Sequence, residues 1–313
     1  MQKFLPEYKA FTLIEVSIII IIIGILVSGI SSGMDLYEDY KITTARNLTL
    51  NSRVKRIDDL EVWLETTNEN AFSYYNTSVV PNRYDFYKNI SENQPIQKWN
   101  NVETLNKLIN GNDVIQTTLS KQPKYISNSI GGLPSLYFDG KNDGTGDSFS
   151  FNGSFLNGKT DVTVFVVDKR TALGTPSVSP AYSIPYQYFL SGNDSVNFAV
   201  GYSGGWVRIS PSNLNWTGFS NVLNIPHIFT FQSGNDDGSK IFMDGELKVS
   251  SSANAVISIG NGILNICYYN RSWTQNWYTG FIGEIIIFSR SLNSSERMGV
   301  EEYLSKKWKI KIN

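Results

Sequence analysis

The chain has 313 residues, 41% of them hydrophobic and 13% aromatic, with a formal net charge of −1. That length holds one large domain beside a membrane segment, and the near-neutral balance excludes an overall electrostatic footprint for nucleic acid. One cysteine, Cys267, and one histidine, His227, exclude an intrachain disulfide and any site built from several histidines, so a large apolar core has to hold the domain without cross-links.

Residues 1–10 carry Lys3 and Lys9 against Glu7, whereas Asp35, Glu38 and Asp39 follow an apolar run. This polarity favours an N-terminus left in the cytoplasm. Residues 11–30 would rise roughly 30 Å as a helix, the hydrocarbon thickness of a bilayer. The isoleucines Ile18 to Ile23 are stiff at χ1, but in lipid the backbone must bond to itself, so helix is the expected state of an isolated span. The one charge inside the run, Glu15, costs about 2.5 to 3.5 kcal/mol at mid-membrane and calls for a partner. A signal peptide is the plainer reading, and Ser28, Gly29, Ser31, Ser32 and Gly33 mimic its far end. It would have a shorter apolar region with no acid inside it. A plain anchor gives no reason for Glu15.

Around the start of this run the chain reads Lys9-Ala10, then Phe11-Thr12-Leu13-Ile14-Glu15-Val16, with Gly24 further on. Here it resembles the type IV pilin and pseudopilin family. The resemblance implies a leader over 1–10, cut by a prepilin peptidase between Ala10 and Phe11, with methylation of the new Phe11 amine. It also implies that Glu15 pairs with the N-terminal amine of a neighbouring subunit. Ala10 stands where the family usually carries glycine.

From Ser31 to Arg56 there is no proline, and Tyr37, Tyr40, Ala45, Leu48 and Val54 make a loose helical stripe. The expected element is a pilin-like helix over 11–56, transmembrane over 11–30, with a polar linker as the alternative for its second part.

After Ile57 short apolar runs alternate with Gly, Asn, Asp and Ser: Val162 to Val167, His227 to Phe231, Lys240 to Met243, Val256 to Ile259, Ile263 to Tyr269 and Phe281 to Phe288. Asn235-Asp-Asp-Gly238 and Asp244-Gly245 are turn signals between runs. The pattern predicts an antiparallel all-β sandwich with large rings filling two inner faces. At the end, Asn293 with Glu296 forms a capping-box signature, and Val300, Leu304 and Trp308 share a helical face expected to dock on the sandwich.

In the same region Leu60-Glu-Val-Trp-Leu64, Trp99, Pro123, Leu136-Tyr-Phe-Asp-Gly-Lys-Asn-Asp143, Ile241-Phe-Met-Asp-Gly245, Gly280-Phe-Ile-Gly-Glu-Ile-Ile-Ile-Phe288 and Tyr303-Leu-Ser-Lys-Lys-Trp308 follow in order. In this order they are similar to the concanavalin A-like, laminin-G-like domains of bacterial surface proteins. The similarity covers 57–313 and implies a jelly-roll sandwich with a C-terminal helix.

Glycosidases on such folds need two carboxylates across a cleft, and Glu284 has no alternating acid on its strand, so no enzyme activity is expected. Asp139, Asn142, Asp143 and Asp147 lie in a Gly-rich loop whose hard oxygen ligands suit Ca²⁺; the alternative is a turn closed by Asx bonds. No other cofactor is required. Trp273, Trp277 and Tyr278 form a polar aromatic loop suited to stacking on sugar rings, with Tyr202, Trp206 and Trp216 as a second set. The alternative is that these rings cover the core edge. Lys306, Lys307, Lys309 and Lys311 read as a solvated face, so nucleic acid is not an expected partner. Cys267 reads as a buried small hydrophobe.

The combined expectation is a prepilin-like subunit of a type IV pilus or type II secretion-like filament. It would cross the inner membrane once, with a lectin-like adhesion domain in the periplasm or outside the cell. Its expected partners are prepilin peptidase, other pilin or pseudopilin subunits and a surface glycan. The alternative is an uncleaved, single-pass, membrane-anchored carbohydrate-binding surface protein.

Overall fold

The computed structural model describes residues 12–102, 114–141, 143–173, 186–192, 198–203, 206–210, 212–219, 222–236, 238–271 and 274–313. The leader 1–10 and the Ala10–Phe11 junction lie outside them. The chain divides into two compact units, Met1–Thr44 and Ala45–Asn313.

The first unit holds helix α1 as far as Thr44; the helix itself runs over Leu13–Leu50. Among the described residues this is the one helix long and apolar enough to cross a membrane by length and composition, and none of its apolar stretch is buried. Thr12 caps it: its backbone N and Oγ1 donate to Glu15 Oε2 at 2.8 and 2.9 Å, and Glu15 N donates back to Thr12 Oγ1 at 3.3 Å. This is the reciprocal pattern of a capping box. Glu15 therefore has a local use that a plain anchor would also need, which the sequence reading missed although Thr-x-x-Glu is its signature. The helix stops at Leu50, where Asn51 N still reaches Asn47 O at 3.0 Å, and does not continue to Arg56.

The second unit takes in the last residues of α1, Ala45 to Leu50, and then β1 (Leu60–Glu65), β2 (Phe72–Asn76), β3 (Arg83–Phe86), β4 (Lys98–Trp99) and β5 (Val114–Ile115). Next come β6 (Lys124–Ile130), β7 (Leu133–Asp139), β8 (Phe149–Asn152), β9 (Val162–Arg170) and β10 (Tyr186–Gly192). They are followed by β11 (Ala199–Ser203), β12 (Trp206–Ser210), β13 (Leu214–Trp216), β14 (His227–Gly234) and β15 (Gly238–Met243). The last are β16 (Glu246–Ser251), β17 (Ile263–Ile266), β18 (Tyr268–Arg271), β19 (Thr274–Trp277), β20 (Thr279–Phe288) and helix α2 (Ser294–Trp308).

One sheet has the order β16-β15-β14-β9-β20-β7-β6, with β1 also on β20; the other has β13-β12-β11-β10-β17-β8-β5-β4-β2-β3. Strand β20 is long enough to pair with β7 through Thr279–Ile282 and with β1 through Glu284–Phe288. The sheets face each other across a core that includes Val164, Phe229 and Ile285 from the first and Phe189, Val200 and Leu264 from the second. The fold is thus an all-β sandwich, and the hairpin β18–β19 stands apart from both sheets.

The central strands of the first sheet are buried on both faces. Along β9, Val164 and Val166 enter the inter-sheet core, while Phe165 and Val167 join a second core with Trp63, Ile286, Leu304 and Trp308 beneath α2. Burial on two sides explains why Val162–Val167 and Phe281–Phe288 read as continuous apolar runs with no alternation. Helix α2 starts with the expected capping box between Asn293 and Glu296. Its last turn comes close enough for the Trp308 ring to lie on Gly283, where an added Cβ would sit 2.6 Å from the indole.

Two apolar runs differ from expectation. Val256–Ile259 buries Ile257 and Ile259 but is no strand, because its backbone bonds go to the turn at Gly158 and Lys159. Ile263–Tyr269 is cut by Cys267, whose φ of 61° ends β17 and lets its N–H reach Phe189 O. Cys267 is free and buried as expected, though at a break instead of inside a strand. Asp244 and Gly245, with φ of 52° and 79°, form the tight turn of the β15–β16 hairpin.

Beneath α2, Lys307 Nζ lies 2.8 Å from Glu65 Oε2, 2.9 Å from Glu284 Oε2 and 2.8 Å from Thr49 Oγ1. Lys307 is thus a core residue, not part of a solvated lysine face. Burial pushes the Lys307 ammonium down, yet the Glu284 and Glu65 charges outweigh this and hold it above its ordinary value. The Glu65 carboxyl is pushed up by burial and then, more strongly, held below its ordinary value by Lys307 and the bonds from Thr67. Glu65 supplies stability present above its unfolded value and lost in acid; Lys307 supplies stability present below its own and lost in alkali. We expect Lys307→Met to lower the unfolding free energy by about 3 to 5 kcal/mol at neutral pH, read from urea midpoints, because two buried carboxylates lose their counter-ion.

Candidate binding surface

The loop that carries Asp139, Asp143 and Asp147 joins β7 to β8. Asp139 N donates to Asp147 Oδ2 at 3.0 Å and Asp147 N donates to Asp139 Oδ1 at 3.2 Å, so the two aspartates close the loop on each other. Lys141 Nζ sits 2.6 Å from Asp139 Oδ2, and Asp143 accepts from Thr145 N at 2.8 Å. Asn142 lies outside the described residues. Among those described, no group of three or more His, Cys, Asp or Glu could hold a metal ion. The three carboxylates take part in the bonds that close this turn. Burial, and then the Asp139 charge, push the Asp147 carboxyl up to about 7.

The expected ring faces at Trp277 and Tyr278 are not on the surface. Trp277 is 5% exposed and stacks on Tyr268 with centroids 5.0 Å apart; Tyr278 is 0% exposed. Trp273 lies outside the described residues. The sequence shows a polar aromatic loop here, but the hairpin β18–β19 folds over β10, with Tyr269 against Tyr188 at 4.9 Å and Ser191 Oγ donating to Tyr268 O. Tyr278 enters the inter-sheet core.

There it meets a polar group the sequence reading did not find. Tyr278 OH and Tyr202 OH both donate to Asp168 Oδ2 at 3.0 Å, and the Arg170 guanidinium lies 3.8 Å from the Tyr202 ring centroid. Asp168 stands opposite His227 on β14 and Ile282 on β20. Its Oδ1 has no hydrogen-bond partner among the described residues. Burial pushes its carboxyl up to about 7 against the pull of His227 and the two tyrosines. His227 is pushed down by burial but carried above its ordinary value by Asp244, 2.8 Å from Nδ1. An acid closing an apolar run was the available signal for Asp168.

The two glutamates across β1 and β20 are also close, since Glu65 and Glu284 are ladder partners. They lie beneath α2 with all four oxygens engaged: Asn68 N on Glu65 Oε1, Thr67 and Lys307 on Oε2, Trp63 Nε1 and Tyr303 OH on Glu284 Oε1, and Trp308 Nε1 and Lys307 on Oε2. A carboxylate pair exists, then, but it is fully buried instead of lining a groove.

Exposed rings occur on the outer face of the ten-stranded sheet. Near one end Tyr75 and Tyr84 pair at 5.2 Å beside Phe86, with Lys98 Nζ 4.3 Å from the Tyr84 centroid. At the other end Trp206 is 45% exposed, whereas Tyr202 is buried and Trp216 packs on Phe219 at 5.4 Å. Of the second aromatic set, Trp206 is the most exposed and Trp216 is half-buried.

No protein-family model matches the sequence, and no curated protein matches it. Among solved structures, domain 4 of AbnA, an extracellular arabinanase from Geobacillus stearothermophilus, aligns with a TM-score of 0.41 and 16% identity over 58% of this chain and 81% of that one. Trypanosoma rangeli sialidase in complex with sialic acid aligns with a TM-score of 0.44 and 14% identity over 80% of this chain and 33% of that one. A botulinum neurotoxin type C structure aligns at 0.40 and 9% over 63% and 51%. The chain spans about a third of the sialidase, and at these scores the likeness carries no inference about ligand or activity.

The folded state prefers a neutral Asp168, so this group's contribution is full below its unfolded value of 3.8 and is lost as pH rises through about 7. Asp168→Asn removes that dependence. Urea midpoints at about pH 5 and about pH 7.5 are expected to show the native protein losing stability relative to the variant as pH rises.

Proposed function

We propose that this chain is a prepilin-like subunit of a type IV pilus or type II secretion-like filament, anchored by α1 and displaying a lectin-like domain of the concanavalin A-like jelly-roll type. The observation that carries the reading is the apolar part of α1: a long helix with none of that surface covered by its own chain, carrying one acid, Glu15, near its start. Such a surface needs lipid, and in a filament it needs other copies of itself. On this reading, cleavage after Ala10 frees the Phe11 amine, and Glu15 of the next subunit receives it in a medium where an unpaired charge is costly. The C-terminal domain stands in the periplasm or outside the cell, and it works by binding and display, not catalysis.

One observation favours the second reading, an uncleaved single-pass anchor carrying a carbohydrate-binding domain. The Thr12–Glu15 capping box gives the acid a role without a neighbouring subunit. The readings separate on the mass of the N-terminal peptide from native membranes. A chain starting at N-methylated Phe11 supports assembly; an intact Met1, or a start beyond Ile30, overturns it.

Glu15→Gln separates the two roles further, because glutamine also serves at this capping-box position but carries no charge. Membrane levels are expected to stay unchanged while recovery in sheared filaments falls by about tenfold or more, the scale of one lost charge pair at low dielectric. Equal recovery of variant and native protein would remove the pairing role.

A further inference from the structure

On β12, Val207 and Ile209 enter the inter-sheet core, so Trp206, Arg208 and Ser210 belong to the opposite, outer face. Arg208 is the ladder partner of Asn215 on β13, which brings their side chains to one face. The turn between these strands carries Ser212 and Asn213, the latter with a φ of 54°. Asn213 Oδ1 accepts from Arg208 Nη2, and Asn213 O accepts from Asn215 Nδ2 at 2.9 Å, so the turn fixes both side chains.

Three polar atoms remain unused in this patch. Arg208 Nε, Asn215 Oδ1 and Ser212 Oγ are screened from water and have no hydrogen-bond partner among the described residues. Leaving such groups unpaired costs about 1 to 3 kcal/mol each, so their occurrence together calls for an explanation. They comprise a donor, an acceptor and a hydroxyl that can act either way. Beside them on the same strand face stands Trp206, 45% exposed. Arg208 and Asn215 are only half-buried, and exchanging their bonds to Asn213 for bonds to an incoming group would present these atoms to it.

From this combination we infer that Trp206, Arg208, Ser212 and Asn215 form a sugar-binding site, in which a pyranose ring lies on the indole and adjacent hydroxyls bond to the three unused atoms. A pyranose has the matching chemistry: a face of C–H groups for an aromatic ring, and vicinal hydroxyls that both donate and accept. Among the described residues the cation of Arg208 has no ion pair with an acid, so a sugar carboxylate is accommodated as well as neutral hydroxyls. The inference deepens the carbohydrate-binding part of the proposed function and rests on it; it does not depend on filament assembly. It also moves the site away from Trp277 and Tyr278, whose rings are buried.

The test uses the full chain in a zwitterionic detergent without a sugar head group, applied to an array of neutral and acidic pyranose oligosaccharides. The best oligosaccharide is then titrated calorimetrically. Trp206→Ala and Arg208→Ala are each expected to weaken binding by about tenfold or more, while Trp206→Phe keeps most of it. Tyr84→Ala, at the other end of the sheet, is expected to bind as the native chain does. Circular dichroism confirms that each variant is folded. Binding that survives both Trp206→Ala and Arg208→Ala overturns this site and leaves the carbohydrate reading standing. A folded native chain that binds nothing on the array overturns both.

Discussion

A single ammonium group holds together the layer on which the rest of the domain is laid. Glu65 and Glu284 face each other across the β1–β20 ladder, and two carboxylates so placed in a dry layer repel unless a cation stands between them. Lys307 supplies it from the last turn of α2, a position that also suits the negative end of the helix dipole. Thr49 and Tyr303 complete the ammonium's bonds, and Trp63 and Trp308 donate to Glu284. The network thereby joins the end of α1, the first strand, the longest strand and the C-terminal helix. A shift of α2 by one residue would turn Lys307 away and leave the acids unpaired, so the network fixes the helix in one register.

This arrangement makes the two sheets unequal. The central strands of the first, β14, β9 and β20, are covered by the inter-sheet core on one face and by the second core beneath α2 on the other, whereas its edge strands β16 and β6 keep exposed residues. The second has one free face, covered in part by the β18–β19 hairpin, and it is there that Tyr75, Tyr84, Phe86 and Trp206 remain exposed. The proposed sugar site lies on this outer face of the ten-stranded sheet. The interior polar group around Asp168 is another matter. Its tyrosine hydroxyls and carboxyl are enclosed, and their effect is on the stability of the sandwich, not on a ligand.

Local chemistry was legible wherever a few neighbouring residues decide the outcome. Asn293 with Glu296 and Thr12 with Glu15 each specify a helix start, and Asp244-Gly245 specifies a tight turn. In all three the bonds form within a few residues of one another. The apolar runs located the burial of Ile257 and Ile259 correctly but not its form. Hydrophobicity reports exclusion from water, whereas strand formation depends on which backbone lies alongside, and here that is a turn.

What the sequence by itself determined was an apolar N-terminal helix, an antiparallel β domain rich in inner rings, and a capped helix at the end. Each follows from periodicity, composition or a cap, all of which act along the chain. The tertiary structure alone decided that Tyr278 is a core residue bonded to Asp168, that Glu284 has an acid opposite it, and that Lys307 is buried between the two. These facts depend on the register of strands far apart in the sequence and on the seating of a helix over them. No local preference encodes such pairings, because the low dielectric and the excluded water that give them their strength exist only once the layers have closed.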